Sequence, residues 1–277
     1  MKTAADTNVL VTGAAMGMGR LYAERAIAEG ASTVVLWDIN ADALEATRTE
    51  LAAEGADVRA RIIDVTDHTA VTDAVAELEA SGIGIDVLVN NAGVVRSGWF
   101  WEQDFERDIE FTLQVNTLAP MAIARAIVPG MIERGREAHI LNVASAAGTL
   151  SNPRMAAYAS SKWAVLGWSD SMRLELTKAG HHHVAVTTFC PSYIDTGMFA
   201  GARGPTLTPI MKPEYAVDRA WRAMLRGKPV LYLPWSVNLS KGLRGILPTR
   251  VWDVVGGTWF GVYRSMDEFR GRAGSST

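Results

Sequence analysis

Cysteine is almost absent from this chain, since Cys190 is the only one in 277 residues. A single cysteine excludes an intrachain disulfide and a metal site built from cysteines, and it fits a reducing compartment. A basic excess is also missing, because 27 Lys and Arg stand against 30 Asp and Glu. We therefore expect no nucleic-acid partner and a cytoplasmic protein.

Long apolar runs are missing as well. No stretch approaches the roughly 20 apolar residues that a helix needs to cross a bilayer. The opening MKTAADTNVLVTGAA has no apolar core of secretory length before the first predicted strand. Internal repeats, low-complexity linkers and runs of one charge are absent too, and the length suits one large α/β domain.

What the chain does contain is an alternation of short β-branched runs with longer helical patterns, which predicts βαβ units and a parallel sheet. Strands are predicted at 8–13, 32–38, 58–64, 85–91, 138–145, 183–190 and 229–234. Helices are predicted up to about residue 30, at 41–55, 104–134 and 155–179, and from Pro213 onwards. The pattern indicates one doubly wound α/β domain over residues 1–234 with about seven parallel strands flanked by helices. Residues 235–277 form a C-terminal extension, predicted to pack on the substrate site or on a neighbouring subunit.

A glycine-rich turn, TGAAMGMG at 12–19, follows the first predicted strand and precedes a helix. Glycines at this place let the backbone approach a pyrophosphate, whose charge is favoured at a helix N-terminus. Such turns also serve packing alone, but their position between strand and helix favours dinucleotide binding. The turn supplies five of the predicted cofactor contacts, which are Gly13, Met16, Gly17, Met18 and Gly19.

Asp38 ends the second predicted strand, 19 residues past Gly19. A carboxylate there can accept hydrogen bonds from both adenosine ribose hydroxyls and would repel a 2′-phosphate. Ile39 and Asn40, which follow it, supply no cation for that phosphate. Asp38 could instead cap a helix, although Asn40 is closer to the predicted helix start. The pattern favours NAD over NADP.

The stretch YASSK places Tyr158 and Lys162 one helical turn apart on the same face. A phenol with a pKa near 10 is a poor base at neutral pH, and a lysine ammonium together with a positive nicotinamide ring would lower that pKa. Ser145 follows the fifth predicted strand and can hydrogen-bond a substrate oxygen as charge develops on it. Alone, the Tyr–Lys pair is weak evidence for catalysis.

Several motifs occur together: TGxxxGxG at 12–19, NNAG at 90–93, Asn116, Ser145, and YxxxK at 158–162. In this order and spacing, over about residues 6 to 233, the chain resembles the short-chain dehydrogenase/reductase family. The resemblance implies a Rossmann-type fold and hydride transfer between nicotinamide C4 and a carbinol or carbonyl carbon. It also implies that Asn116, Ser145, Tyr158 and Lys162 are catalytic, with Lys162 holding the nicotinamide ribose and Asn116 ordering a relay water. From the residues alone, a lone Asn in a helix is more often exposed or bonded to a neighbour.

The resemblance implies further cofactor contacts after the later strands. Asp64 and Val65 would hold the adenine, and the NNAG segment would lie against the cofactor or act only as a tight turn. Ser192 stands where the family has glycine. The full set of these contacts is Asp64, Val65, Asn90, Asn91, Ala92, Gly93, Pro191, Ser192, Ile194 and Thr196.

The substrate pocket is predicted from apolar residues near these motifs. Trp99, with Phe100 and Trp101, would floor the pocket or pack under a helix. Ser145, Met155, Tyr193 and Met198 would line it, with 197–209 as a lid. Arginines 96, 154 and 203 are better explained as surface residues than as an anion clamp. The pattern favours an uncharged, hydrophobic substrate.

The tail pieces ILP and SMDEFRGR, with TGMF upstream, resemble the retinol dehydrogenase and 17β-hydroxysteroid dehydrogenase branch. That branch implies lipid-like substrates and a tail that covers the pocket or, as the less favoured alternative, touches a membrane. The family also implies a homodimer or homotetramer through the helices at 104–134 and 155–179. The HHH at 181–183 predicts no metal site, because adjacent residues of an extended chain point to alternate sides.

The predicted function is an NAD-dependent oxidoreductase that interconverts a hydrophobic secondary alcohol, aromatic, alicyclic or lipid-like, and its ketone, with Tyr158 as general acid and base. Two alternatives stay open. One is an NADPH-dependent 3-oxoacyl thioester reductase, against which Asp38 and the tail argue. The other is a non-catalytic NAD-binding regulatory protein, which would have no need for the four-residue catalytic set.

Overall fold

Seven parallel strands form one sheet in a computed structural model that describes residues 1–53, 55–206 and 208–271. The strand order is β3-β2-β1-β4-β5-β6-β7, so the chain reverses its winding direction between β1 and β4. This confirms the predicted doubly wound α/β fold. The strands are β1 (Asn8–Thr12), β2 (Thr33–Asp38), β3 (Asp57–Ile62), β4 (Val87–Asn90), β5 (Ala138–Val143), β6 (Val184–Pro191) and β7 (Val230–Leu233).

Helices cover both faces of the sheet. Asn40 and Asp67 begin two of them by accepting hydrogen bonds from the backbone N–H three residues on. The sequence analysis missed α3, and Glu54 of the predicted helix 41–55 lies outside the described residues. The helices are α1 (Gly17–Ala28), α2 (Ala41–Ala52), α3 (His68–Ala80), α4 (Phe111–Leu113), α5 (Ala119–Arg134), α6 (Ala156–Lys178), α7 (Pro213–Leu225), α8 (Trp235–Ile246) and α9 (Thr249–Trp252).

One helical segment, Phe105–Arg134, joins α4 and α5 through π-helical turns at Phe105–Glu110 and Gln114–Leu118. By length and composition alone it could cross a membrane, contrary to the expectation that no stretch would. More than half of its most apolar window is buried inside the fold, as in the core helix of a globular domain.

The core lies on both faces of the sheet, because a parallel sheet covered by helices buries its strands on each side. Val9, Leu10 and Val11 of β1 are completely buried. One face packs against Tyr22 and Trp221 of α1 and α7, and the other packs against α3 and α5. Each fully buried large side chain contributes roughly 1.5–3 kcal/mol to folding.

Tyr22 is a core residue whose hydroxyl has no hydrogen-bond partner among the described residues. Its ring stacks on Trp221 with centroids 6.2 Å apart, and burial raises the pKa of the phenol. Tyr22→Phe removes the unpaired polar group and keeps the ring, so we expect a gain of about 1 kcal/mol in the free energy of unfolding. Urea denaturation measures this, with the exposed Tyr215→Phe as a control that should change nothing. A loss of stability in Tyr22→Phe would show that the hydroxyl is paired.

The C-terminal extension continues beyond β7 as helix rather than as another βα unit. The predicted boundary falls at Pro234, between β7 and α8, and residues 272–277 lie outside the described part. Three backbone hydrogen bonds of 2.9 Å tie the extension to the predicted lid: Arg203 N–H to Ser265 O, Thr206 N–H to Phe260 O, and Arg270 N–H to Ala200 O. The extension therefore packs on the predicted lid of its own chain.

Candidate functional site

A cleft of about 530 Å³ opens at the carboxyl ends of the strands, beside the reversal between β1 and β4. In doubly wound folds this crevice is where ligands bind. Most of the predicted cofactor contacts line it: Gly13, Met16, Gly17, Met18, Asp38, Ile39, Asp64, Val65, Asn91, Ala92, Gly93, Tyr158, Lys162, Pro191, Ser192, Ile194 and Thr196. Of the remaining two predicted contacts, Gly19 lies behind the cleft wall and Asn90 points into the sheet.

The glycine turn forms the wall of this cleft that follows β1. Gly13 and Gly17 have φ angles of +64° and +58°, in the left-handed region that favours glycine. A Cβ on Gly19 would lie 1.9 Å from the Gly13 carbonyl oxygen, so Gly19 packs α1 against the turn. Within the described residues no side chain caps the start of α1 at Met16. Its first amides are thus available to an anion.

Asp38 points its carboxylate into the same cleft. One oxygen accepts a hydrogen bond from the Ala15 N–H and the other from the Asn40 N–H, each at 2.9 Å. Asn40 is the cap of α2, because its side chain accepts from the Ala43 N–H at 3.0 Å. Asp38 is therefore not a helix cap, and each of its oxygens keeps a lone pair for a ligand.

The charges around the cleft are few. Among the described residues that line it, Lys162 is the only cation, and the carboxylates are Asp38 and Asp64. Asp64 is tied by Thr66, whose backbone N–H and hydroxyl both donate to it. Ile39 is 66% exposed beside Asp38. Among the described lining residues, this end of the cleft presents carboxylates that can accept from hydroxyl groups, and it presents no cation to an extra phosphate.

The NNAG segment lines the cleft with Asn91, Ala92 and Gly93 and also supports the sheet. The Asn91 side chain donates to the carbonyls of Thr12 and Gly13, which fixes β4 to the glycine turn. Asn90 donates to the Asn142 side chain inside the sheet and does not line the cleft, so its predicted cofactor contact is wrong. Its side chain points inward because residues alternate in direction along a strand.

Tyr158, Ser145 and Lys162 meet at the inner end of the cleft. Tyr158 and Lys162 lie one turn apart on α6, with the lysine nitrogen 5.8 Å from the centre of the phenol ring. Lys162 Nζ donates to the Val143 carbonyl at the end of β5, at 2.9 Å. Ser145 follows β5, and its oxygen accepts from the Ala147 N–H at 3.1 Å. All three side chains are less than one-tenth exposed.

Burial controls the ionisation of this group. It raises the pKa of Tyr158 to about 12, against a hydrogen bond with Ser145 that lowers it. It also lowers the pKa of Lys162 to about 8, because the charged form is desolvated. Among the protein's own groups, desolvation has the largest effect on the pKa of Tyr158, and it raises that pKa. The lowered pKa expected from the sequence therefore needs the positive charges of both Lys162 and the nicotinamide ring.

Asn116 lies in the π-helical turn Gln114–Leu118 and is buried. Its amide accepts from the Val94 N–H at 2.8 Å and donates to the Val94 carbonyl and to Ser161 Oγ. A Cβ on Gly93 would be 3.2 Å from Asn116 Oδ1 and 3.7 Å from Lys162 Nζ, so these groups are close neighbours. The position is consistent with the implied relay, and that role stays a prediction.

A second cavity, of about 80 Å³, adjoins the catalytic residues. Ser145, Tyr158, Ser192 and Phe199 line both cavities, so Tyr158 sits where they join. No charged side chain is found among the described residues around the smaller cavity. It is lined by Ser145, Ala146, Ala147, Leu150, Asn152, Met155, Tyr158, Ser192, Tyr193, Phe199, Pro205, Thr206, Thr208, Ser236, Val237, Leu239, Ser240, Leu243, Phe260 and Val262.

The predicted substrate residues divide between the cavities and the surface. Ser145, Met155 and Tyr193 line the small cavity, and Met198 lines the cleft. Trp99 lines neither cavity, so the structure does not place it on the floor of a pocket. It is 42% exposed and stacks on Trp101 with centroids 5.3 Å apart, because this segment turns outward into a 3-10 turn.

The sequence analysis missed most of the small-cavity wall. Phe199 packs edge-on against the rings of Tyr158 and Tyr193, at centroid distances of 6.0 and 5.4 Å. One face of α8 supplies another wall, through residues spaced at three to four positions such as Ser236, Ser240 and Leu243. This helical spacing is the sequence signal that could have identified the α8 wall of the cavity. Leu207, in the predicted lid, lies outside the described residues.

The comparisons with known proteins agree over most of the chain. Residues 7–205 match the model of the short chain dehydrogenase family. Estradiol 17-beta-dehydrogenase 11 of Pongo abelii is 37% identical over 243 residues, covering 87% of this chain and 79% of that protein. Epidermal retinol dehydrogenase 2 of Mus musculus is 33% identical over 276 residues, covering 98% of this chain and 87% of that protein. A solved short chain dehydrogenase/reductase from Burkholderia phymatum, in complex with NAD, has a TM-score of 0.80 and 27% identity, covering 88% of this chain and 95% of that chain.

Proposed function

The chain belongs to the short-chain dehydrogenase family, and on that premise we propose that it is an NAD-dependent oxidoreductase interconverting a hydrophobic secondary alcohol and its ketone. The observation that carries the proposal is the place of Tyr158. Its phenol lies at the junction of a dinucleotide-sized cleft and a cavity without charged walls. A proton can therefore be exchanged where a substrate carbon would meet a nicotinamide.

The residues present fit NAD. The uncapped start of α1 and the glycines of the turn suit a pyrophosphate, and Asp38 suits ribose hydroxyls. Lys162 is placed to hold the second ribose. When bound, NAD supplies the hydride acceptor or, in its reduced form, the donor.

The chain's own residues handle the proton. In ketone reduction the Tyr158 phenol donates its proton to the substrate oxygen, and in alcohol oxidation the phenolate takes the proton back. Ser145 Oγ is positioned to donate a hydrogen bond to the same oxygen as negative charge develops. The Lys162 ammonium stabilises the phenolate left on Tyr158. The buried setting strengthens each of these interactions because water is excluded.

The uncharged cavity supports an uncharged, hydrophobic substrate. A carboxylate or phosphate brought there would lose its hydration without gaining a cation. The names of the two relatives, an estradiol dehydrogenase and a retinol dehydrogenase, support alicyclic or lipid-like alcohols. A steady-state screen with NADH and NADPH against aryl ketones, ketosteroids, retinal and 3-oxoacyl thioesters tests this. Turnover restricted to NADPH and a thioester would establish the acyl thioester reductase instead. Tight NAD binding without any turnover would establish a regulatory protein.

Cofactor preference should reverse when the charge at the end of β2 is changed. The double variant Asp38→Ser with Ile39→Arg removes the carboxylate and adds a cation at an exposed position of the cleft. Hydrogen bonds to charged groups contribute about 1.5–3 kcal/mol. We therefore expect kcat/KM for NADP relative to NAD to rise about 10- to 100-fold. Ile246→Arg, on an exposed position of α8, is the control. A wild-type enzyme that already prefers NADP would contradict the role of Asp38.

Self-association and location also stay proposals. Exposed apolar side chains on the helices at 105–134 and α6, such as Phe105, Leu118 and Trp163, support pairing into a homodimer or homotetramer. Light scattering on the purified protein would measure the mass.

A cytoplasmic location is proposed from the composition. The contacts between extension and lid favour a tail that packs on its own subunit over one that touches a membrane.

A further inference from the structure

Besides Thr206, three residues with hydroxyl groups line the small cavity away from the catalytic residues. Thr208 comes from the lid, and Ser236 and Ser240 lie one turn apart on the inner face of α8. Thr208 Oγ1 and Ser236 Oγ are 3.3 Å apart, while Ser240 has no hydrogen-bond partner among the described residues. We call these three residues the distal hydroxyl cluster.

The sheet fixes how far this cluster lies from the catalytic serine. Ser145 follows the end of β5, whereas Ser236 follows the end of β7, with β6 between the two strands. The two strands end at different levels, since Val143 pairs with Phe189 whereas Leu233 pairs with Pro191, two residues further along β6. Adjacent strands are about 4.8 Å apart, so two strand spacings, about 10 Å across the sheet, lie between the strands that lead to Ser145 and to Ser236.

The surroundings define which ligand group would suit the cluster. Val237 and Leu243 flank it with apolar surface, and no described residue around the cavity carries a charge. Hydroxyls both donate and accept, so they satisfy an alcohol, a phenol or a ketone oxygen equally well. A carboxylate would be left without a cation.

We propose that the distal hydroxyl cluster binds a second, uncharged oxygen of the substrate, about two strand spacings, or about 10 Å, across the sheet from the catalytic serine. This rests on the proposed function and narrows its substrate class to apolar molecules with an oxygen at each end. Ser240 is the specificity-determining residue, because its hydroxyl is unengaged. The contact between Thr208 and Ser236 also joins the lid to α8. Ser236 therefore helps to hold the cavity wall together as well as lining it.

A matched pair of ketones tests the proposal. 4-(4-Hydroxyphenyl)cyclohexanone carries its two oxygens about 10 Å apart, the separation that two strand spacings give. 4-Phenylcyclohexanone has the same carbon skeleton without the phenol. With NADH, we expect the wild-type kcat/KM to favour the hydroxylated ketone by about 3- to 10-fold, the effect of one hydrogen bond. In Ser240→Ala the preference should fall towards one, through a higher KM for the hydroxylated ketone.

Asn238→Ala is the control, because Asn238 lies on the exposed face of the same helix. It should keep the wild-type preference. Equal kcat/KM for the two ketones in the wild type, or a preference that survives in Ser240→Ala, would overturn the proposal. A parallel measurement of Tm with each ketone needs no turnover. If neither ketone reacted but the hydroxylated one still raised Tm in the wild type and not in Ser240→Ala, the proposed function would fail and the cluster would stand.

Discussion

Tyr158→Phe is expected to lower kcat by about 10²- to 10⁴-fold for both oxidation and reduction, the usual contribution of a general acid–base group. The variant keeps the ring that packs against Phe199 and removes only the hydroxyl at the junction of the two cavities. NAD affinity should change little, because the Gly13–Gly17 turn and Asp38 are untouched. Stopped-flow or steady-state kinetics, combined with NADH fluorescence titration, measures the two effects separately.

The matched control is Tyr215→Phe, since Tyr215 is exposed on α7, away from both cavities. It should retain full activity. If Tyr158→Phe kept more than a tenth of the wild-type kcat, another group would have to move the proton.

The pH dependence follows from the same phenol. Burial raises the pKa of Tyr158 to about 12, so the phenol is protonated at neutral pH and ready to donate to a ketone. Alcohol oxidation needs the phenolate and should become faster as the pH rises from 6 towards the pKa of Lys162 at about 8. Ketone reduction should vary little over that range. A reduction rate that rose with pH would reverse the assigned proton transfer.

Gly19→Ala should abolish cofactor binding or folding. The added Cβ would lie 1.9 Å from the Gly13 carbonyl oxygen and 2.7 Å from its carbon. Both atoms are backbone, so no side chain can move to relieve the overlap. The expected loss in the free energy of unfolding is about 3 kcal/mol or more, at the upper end of what overpacking costs. Urea denaturation and NADH titration would report it.

Gly167→Ala serves as the comparison. Gly167 lies on an exposed face of α6, and a Cβ there meets nothing within 4 Å. Alanine in a helix interior should add about 0.5–1 kcal/mol to stability. Equal stabilities for the two alanine variants would mean that α1 is less tightly seated on the turn than the structure shows.

The sequence predicted the fold well because its signals are local. β-branched runs, the glycines at 12–19 and the proline at 213 set the strands, the first turn and a helix start within a few residues of their positions. The same local spacing placed Tyr158 and Lys162 on one helical face. The helix α3 was missed although His68–Ala80 is a good helix with an Asp67 cap. The signal was present in the sequence, because Val71, Ala74, Val75 and Leu78 follow helical spacing.

The sequence by itself determined the parallel sheet and the glycine turn at its carboxyl edge, since each depends on neighbours along one strand or one helix. Most of the other residues predicted to face the cleft came from the family resemblance. Only the tertiary structure decided the substrate cavity. Many of its walls come from the lid and from the extension that includes α8, which are up to about 60 residues apart in the chain and meet through contacts such as Arg203 with Ser265. The aromatic run at Trp99 shows the opposite error, because the sequence suggested a pocket floor and the structure places these side chains on the surface. Contacts between a side chain and a distant segment depend on packing across the whole domain. The periodicity of the sequence cannot predict them, because it reflects only neighbours within one helix or strand.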